Sequence, residues 1–293
     1  MADINKAINK VNSTQQKLRI TSFIVAVIKK YGDDNAGQQA ALLTYYSFLS
    51  LFPLLLILTT ITDILIGSNS GLKTTILHGL TDYFPLLGTQ LTEHVHKLHA
   101  SGLALATGLV FTLYGTRGVA NVFRNGVQDI WQIPEKDRDN FPETLYKSIT
   151  VIVVGGLGFI VASIISGVAS NINGDFDFRA LPYLINIFLL FWLFNFLINF
   201  NLPKHISYKE TWVGALVAAI GLVILQSLGG ILLARELKRL DALYSYFAVA
   251  LGLMFWLYLQ AQVLYYAFEI AVVKSHKLWP VSLNSNPSTI NRD

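Results

Sequence analysis

Six stretches of this chain, roughly 37–62, 101–121, 146–170, 181–202, 211–233 and 243–273, carry few charges. Each is long enough to cross a bilayer, which takes about 20 apolar residues of helix. That pattern fixes the fold class, because in hydrocarbon every backbone N–H and C=O must find a partner within the protein. Barrel strands would be about half as long and would alternate in polarity, and these stretches do neither. The expectation is an all-α integral membrane protein, a bundle of six transmembrane helices. Charged residues make up only 14% of the chain and mean hydropathy is +0.49, against about 25% charge in an average soluble domain. The apolar segments follow one another too closely to leave room for a soluble catalytic domain.

The absence of cysteine excludes structural disulfides, thiolate nucleophiles and cysteine-ligated zinc or iron–sulfur sites. A net charge of +4, scattered along the chain, argues against nucleic acid as a partner. Where the cations sit is more telling, because Lys and Arg gather on the cytoplasmic side. If both termini are cytoplasmic, the inner side holds 16 of the 22. Lys73, Lys97, Arg179, Arg235, Lys238 and Arg239 remain outside. Trp131, Trp212 and Trp279 fall near the inner boundary, where indole rings concentrate. No cleavable signal is expected, since FIVAVI (23–28) is short and is followed by Lys29 and Lys30.

Three regions follow: a cytoplasmic segment 1–36 with an amphipathic helix, a membrane domain 37–275, and a cytoplasmic tail 276–293 whose Ser-, Asn- and Pro-rich end reads as disordered. Ile20, Phe23, Ile24, Val27, Ile28 and Tyr31 recur at helical spacing beside Lys17, Arg19, Lys29 and Lys30. Two readings stand, an interfacial helix on the inner leaflet and a cytoplasmic extension of the first span; Gly32 to Gly37 argues for a break. The outer segment 63–100 carries its own stripes, Leu72, Ile76, Leu80, Phe84, Leu87 and then Leu91, Val95, Leu98. They suggest two short amphipathic helices broken at Pro85 and Gly88.

Polar residues inside the spans are the candidates for function. The first span, ALLTYYSFLSLFPLLLILTTI (41–61), places Thr44, Tyr46, Ser47, Ser50 and Pro53 in its first half. A helix bathed only in lipid gains nothing from hydroxyls and loses a backbone hydrogen bond at an interior proline. Either this half lines a central cavity or its hydroxyls serve helix packing. Span four carries Asn195 and Asn199 one turn apart, which bridge helices or line a polar cavity. Span six aligns Tyr258, Gln262, Tyr265 or Tyr266, and Glu269 on one face. A carboxylate at membrane depth should point inward and find a partner, and Arg117, near the inner end of span two, is the best candidate on depth. Glu269 then serves either structural pairing or a substrate or proton path. Gly158, Ala162, Ser166 and Ser170, with Gly214 and Ala218, form small faces that let helix backbones approach closely.

The string HVHKLH sets His94, His96 and His99 in a spacing seen in metal-binding hydrolase loops. The aspartate expected before the last histidine is Leu98, and no alternating strands and helices frame the motif. A solvent-facing amphipathic helix is the ordinary reading, so the three histidines are weak metal candidates only. No P-loop, G-x-S-x-G or dinucleotide fingerprint occurs, and neither a cofactor nor catalysis is expected.

Taken together, ALLTYYSFLSLFPLLLIL, RNGVQDIWQIPEKDR, NFNLPKHISYKETWVGALVAA and MFWLYLQAQVLYYAFEIAV resemble the YihY/BrkB family of bacterial inner-membrane proteins. Gln128 stands where the family usually has Asn before Trp131, and Ala267-Phe268-Glu269 replaces the expected Gly-Ala-Glu. The resemblance implies a six-span protein of the bacterial inner membrane without established chemistry, from a family long labelled ribonuclease BN. Some members are proposed to move lipids or envelope precursors. The resulting expectation is a transporter or flippase-like protein that meets membrane lipids and an amphiphilic or lipid-linked substrate; a homo-oligomer is compatible with it. The alternative is an envelope scaffold or regulator whose polar residues only hold helices together.

Overall fold

The computed structural model describes residues 19–66, 102–140, 143–170, 176–203, 206–237 and 245–281. The outer segment with its histidines, the first 18 residues and the tail from 282 lie outside the described residues. Among those described, seven α-helices and one 3₁₀ turn occur, with no strand. They are α1 (Arg19–Asp33), α2 (Ala36–Ile66), α3 (Gly102–Ile130), α4 (Glu143–Ser170), α5 (Phe176–Asn201), α6 (Tyr208–Leu237) and α7 (Ser245–Ser275). Three stretches among the described residues are long and apolar enough to cross a membrane: Leu181–Asn201, Tyr208–Gly229 and Ala250–Ser275.

From α2 to α7 each helix packs on the next in sequence, and α7 closes back onto α2. The result is a closed ring of six helices, with α1 laid against α7 and α2. Small residues set the close approaches. A Cβ at Gly214 would stand 2.9 Å from the Ala267 carbonyl oxygen and 2.8 Å from the Ala271 methyl, so α6 and α7 touch backbone to backbone there. Gly158 similarly receives Leu193 between α4 and α5. The core fills with Phe123, Trp131, Leu190, Ile198, Trp256 and Phe268.

Two boundaries teach something about the sequence. The break after α1 is real: Asn35 takes a positive φ of 52°, a left-handed conformation that asparagine tolerates better than most residues. Asp34 N–H donates to the Lys30 carbonyl and Asn35 N–H to that of Gly32, closing the helix. In contrast, α3 runs nine residues past the apolar stretch, to Ile130. Its polar last turns persist because their groups find partners. Arg124 Nη1 donates to Thr144 O at 3.2 Å and Gln128 Nε2 to Asn201 O at 3.0 Å.

Helix α6 opens on a capping box, in which Ser207 and Glu210 reciprocally bond the first turn's amides. Ser207 N–H donates to Glu210 Oε1 at 3.2 Å, and Lys209 N–H to Ser207 Oγ at 3.3 Å. Trp131, just past the end of α3, is fully buried against Phe268. Trp212 remains 42% exposed with Lys274 over its ring, and Trp279 meets Phe23 edge-on at 5.2 Å.

Candidate functional site

The polar face of α7 meets α1 rather than the middle of the ring. Tyr31 Oη, near the end of α1, donates to Gln262 Oε1, and its ring stacks on Tyr266 with centroids 4.1 Å apart and planes 8° apart. One turn further, Glu269 faces Lys30, whose Nζ lies 3.2 Å from Oε2. Glu269 and Lys30 are both completely buried. Lys30 Nζ also donates to Ile130 O, the last carbonyl of α3, at 2.9 Å and pairs with Asp34. A lysine at a helix C-terminus complements the partial negative charge of its unpaired carbonyls. Thus one ammonium ties together α1, the turn after it, α3 and α7. The partner of Glu269 is therefore Lys30 and not Arg117, whose side chain is exposed.

Burial raises Asp34 above the ordinary carboxylate range, while the neighbouring Lys30 pulls it the other way. The Tyr31 phenol is pushed up to about 12, first by burial and then by Tyr266 beside it. Both groups lie outside the membrane-length apolar stretches.

The other candidates fall elsewhere. Thr44 Oγ1 donates to Ala40 O at 2.8 Å and Ser50 Oγ to Ser47 O at 3.0 Å, so both hydroxyls are satisfied within α2. Tyr46 and Ser47 are half-buried, and Tyr46 lies over Gly118 of α3. Helix α2 continues through Pro53, whose side chain is outside the described ones. Asn195 and Asn199 knit α5 to α6: Thr211 Oγ1 donates to Asn195 Oδ1 at 3.0 Å, and Asn199 Nδ2 lies 2.5 Å from Thr211 Oγ1. Hence the structure joins Gln262, Tyr266 and Glu269 at one junction and Asn195 with Asn199 at another. It does not bring the α2 hydroxyls to either.

A cleft of about 700 Å³ opens where the α3–α4 connection meets the end of α5 and the start of α6. Its lining combines a charged set, Lys136, Asp137, Arg138, Asp139, Glu143 and Lys147, with an aromatic one, Tyr146, Phe196, Phe200 and Tyr208, and includes Asn199. The charged set is braced: Arg138 Nη2 reaches Asp129 Oδ1 at 2.7 Å and Lys147 Nζ reaches Asp139 Oδ1 at 2.5 Å. Gln39 Nε2 of α2 adds a bond to Asp129 Oδ2 at 3.2 Å. The sequence reading missed Lys30, Asp34, Asp129 and Arg138. The spacing of Lys29 and Lys30 to Asp33 and Asp34, four residues each, was the available signal for the first two. Among the described residues no cluster of three or more His, Cys, Asp or Glu is arranged to hold a metal.

Comparison with known proteins gives a consistent picture. The inner membrane protein YhjD of Escherichia coli (strain K12) is 22% identical over 88% of this chain and 83% of its own length. A UPF0761 membrane protein of Psychrobacter sp. (strain PRwf-1) is 20% identical over 85% of this chain, and one of Alcanivorax borkumensis is 21% identical over 82%. The chain spans about half the length of these two, 48% and 57% respectively. No solved structure matches. Residues 27–287 match the family described as Virulence factor BrkB, so this chain is a membrane protein that belongs to the BrkB family.

Proposed function

We propose that the protein crosses the inner membrane six times, with both termini cytoplasmic, and moves an amphiphilic or lipid-linked envelope substrate without chemically altering it. The cleft beside α4, α5 and α6 carries this reading. Its aromatic residues suit acyl or prenyl carbon and its charged residues suit a polar head group, and an amphiphile presents the two together. The placement of Lys and Arg supports the orientation, and the closed ring of six long helices supports the span count. The sequence contains no P-loop; active movement would draw on an ion gradient or a partner, and downhill movement on neither.

The test is reconstitution into liposomes with fluorescent lipids of several head-group classes. At least one class should cross faster than in protein-free vesicles, and Lys136→Glu with Phe200→Ala should slow it. Equal rates for every class would overturn the proposal. A scaffold is the second reading, favoured by the interlocked Asn195, Asn199 and Thr211 at the α5–α6 seam. It requires flat transfer rates in the same assay.

A further inference from the structure

The junction of α1 with α7 contains two carboxylates and one ammonium, all shut away from water or nearly so. Lys30 and Glu269 are 0% exposed, and Asp34 keeps 9% of its side chain accessible. Neither carboxylate oxygen of Glu269 receives a hydrogen bond of good geometry, although Lys30 Nζ stands 3.2 Å away. Fully ionised, the trio carries a formal charge of −1. Lys29 pairs with Asp33 at 2.9 Å and Arg138 with Asp129 at 2.7 Å.

Tyrosine hydroxyls, side-chain amides and a backbone carbonyl also face the cluster. From α1 comes Tyr31, bonded to Gln262; from α7 come Tyr258 and Tyr266; Gln132 bonds Asp34; and α3 offers the Ile130 carbonyl. A buried surplus charge is costly unless something neutralises it.

We propose that Asp34 and Glu269 share one proton, so that the cluster is a single-proton binding site holding α1 onto α7. With the proton bound, one carboxyl O–H donates to the neighbouring carboxylate, which also pairs with Lys30, and the trio is neutral. When the proton leaves to water, the surplus negative charge has no partner. A second proton, at acidic pH, would instead leave Lys30 without a counter-ion.

The rise of Asp34 through burial runs in the same direction. An acid that binds its proton more tightly in the docked than in the undocked state stabilises docking below its ordinary value. That stabilisation is lost as pH rises through the docked-state value. For one proton, the undocking constant climbs about tenfold per pH unit inside that window. Released α1 keeps a lipid-facing side, since Ile20, Ile24 and Ile28 are 76%, 50% and 58% exposed on one stripe.

The chain has no cysteine, so Ile24→Cys on α1 and Phe255→Cys on α7 can be spin-labelled without background. Distances are measured in lipid nanodiscs from pH 5 to 10. The expected result is one narrow distance giving way to a second, displaced population as pH rises. In Glu269→Gln, which replaces the surplus acid by a neutral amide, the narrow distance should persist to pH 10. An unchanged distribution in the parent, or the same shift in Glu269→Gln, overturns the proposal. If Glu269→Gln does not fold, Asp34→Asn decides by the same criterion. The measurement needs no substrate, so it stands or falls separately from the transport reading.

Discussion

Two polar seams lie within this bundle, and they solve the same problem differently. At the α5–α6 seam, Asn195, Asn199 and Thr211 exchange hydrogen bonds between uncharged side chains. At the α1–α7 seam, Lys30 serves Asp34, Glu269 and the Ile130 carbonyl together, leaving one carboxylate charge in excess. Amide–hydroxyl pairs fix helix register at modest energy. A buried charge set makes docking depend on protonation, and losing any one member exposes the cost of the others.

The comparison can be broken at its strongest point first. Lys30→Met leaves two buried carboxylates facing each other and should destabilise the fold by about 3–5 kcal/mol, read as a loss of thermal stability in detergent. Combining it with Glu269→Gln should restore a large part of that loss, because the second change removes the uncompensated charge. A double mutant as unstable as the sum of the singles would show that the two side chains act separately.

Gly214→Leu tests the close approach of α6 to α7 and should cost about 1–3 kcal/mol through overpacking, with α5–α6 contacts intact by crosslinking. At the α5–α6 seam, Asn195→Ala or Thr211→Ala should each cost about 0.6 kcal/mol, up to ~1.7. The double mutant should be little worse than either single. At the small end, Thr44→Ala and Ser50→Ala remove hydroxyls already satisfied within α2. They should leave stability within about 0.5 kcal/mol of the parent. A larger loss would reveal a partner on another helix.

The helical class and five of the helix starts were legible to within a few residues, because an apolar window of bilayer length has few other solutions. The extra turns of α3 were not. Arg124, Gln128 and Asp129 look like the end of a span until Thr144, Asn201 and Arg138 arrive from distant sequence to bond them. The stripe of Tyr258, Gln262, Tyr265 or Tyr266, and Glu269 is visible from its spacing; that Tyr266 is the member stacked on Tyr31 is not. Periodicity names one face of a helix and is silent about the neighbour. Arg117 was chosen as partner by depth along the helix. The actual partner, Lys30, comes from the short helix α1, where the sequence offers it as a flanking charge of an amphipathic helix and not as a partner for Glu269.

The closure of α7 onto α2 joins helices separated by most of the chain, and this has a consequence for biogenesis. A ribosome adding ~5–20 residues per second needs roughly 10–40 s to get from the end of α2 to the end of α7. For all that time the flank of α2 meant for its last neighbour stays uncovered. Any chain cut before α7 is complete keeps that flank bare.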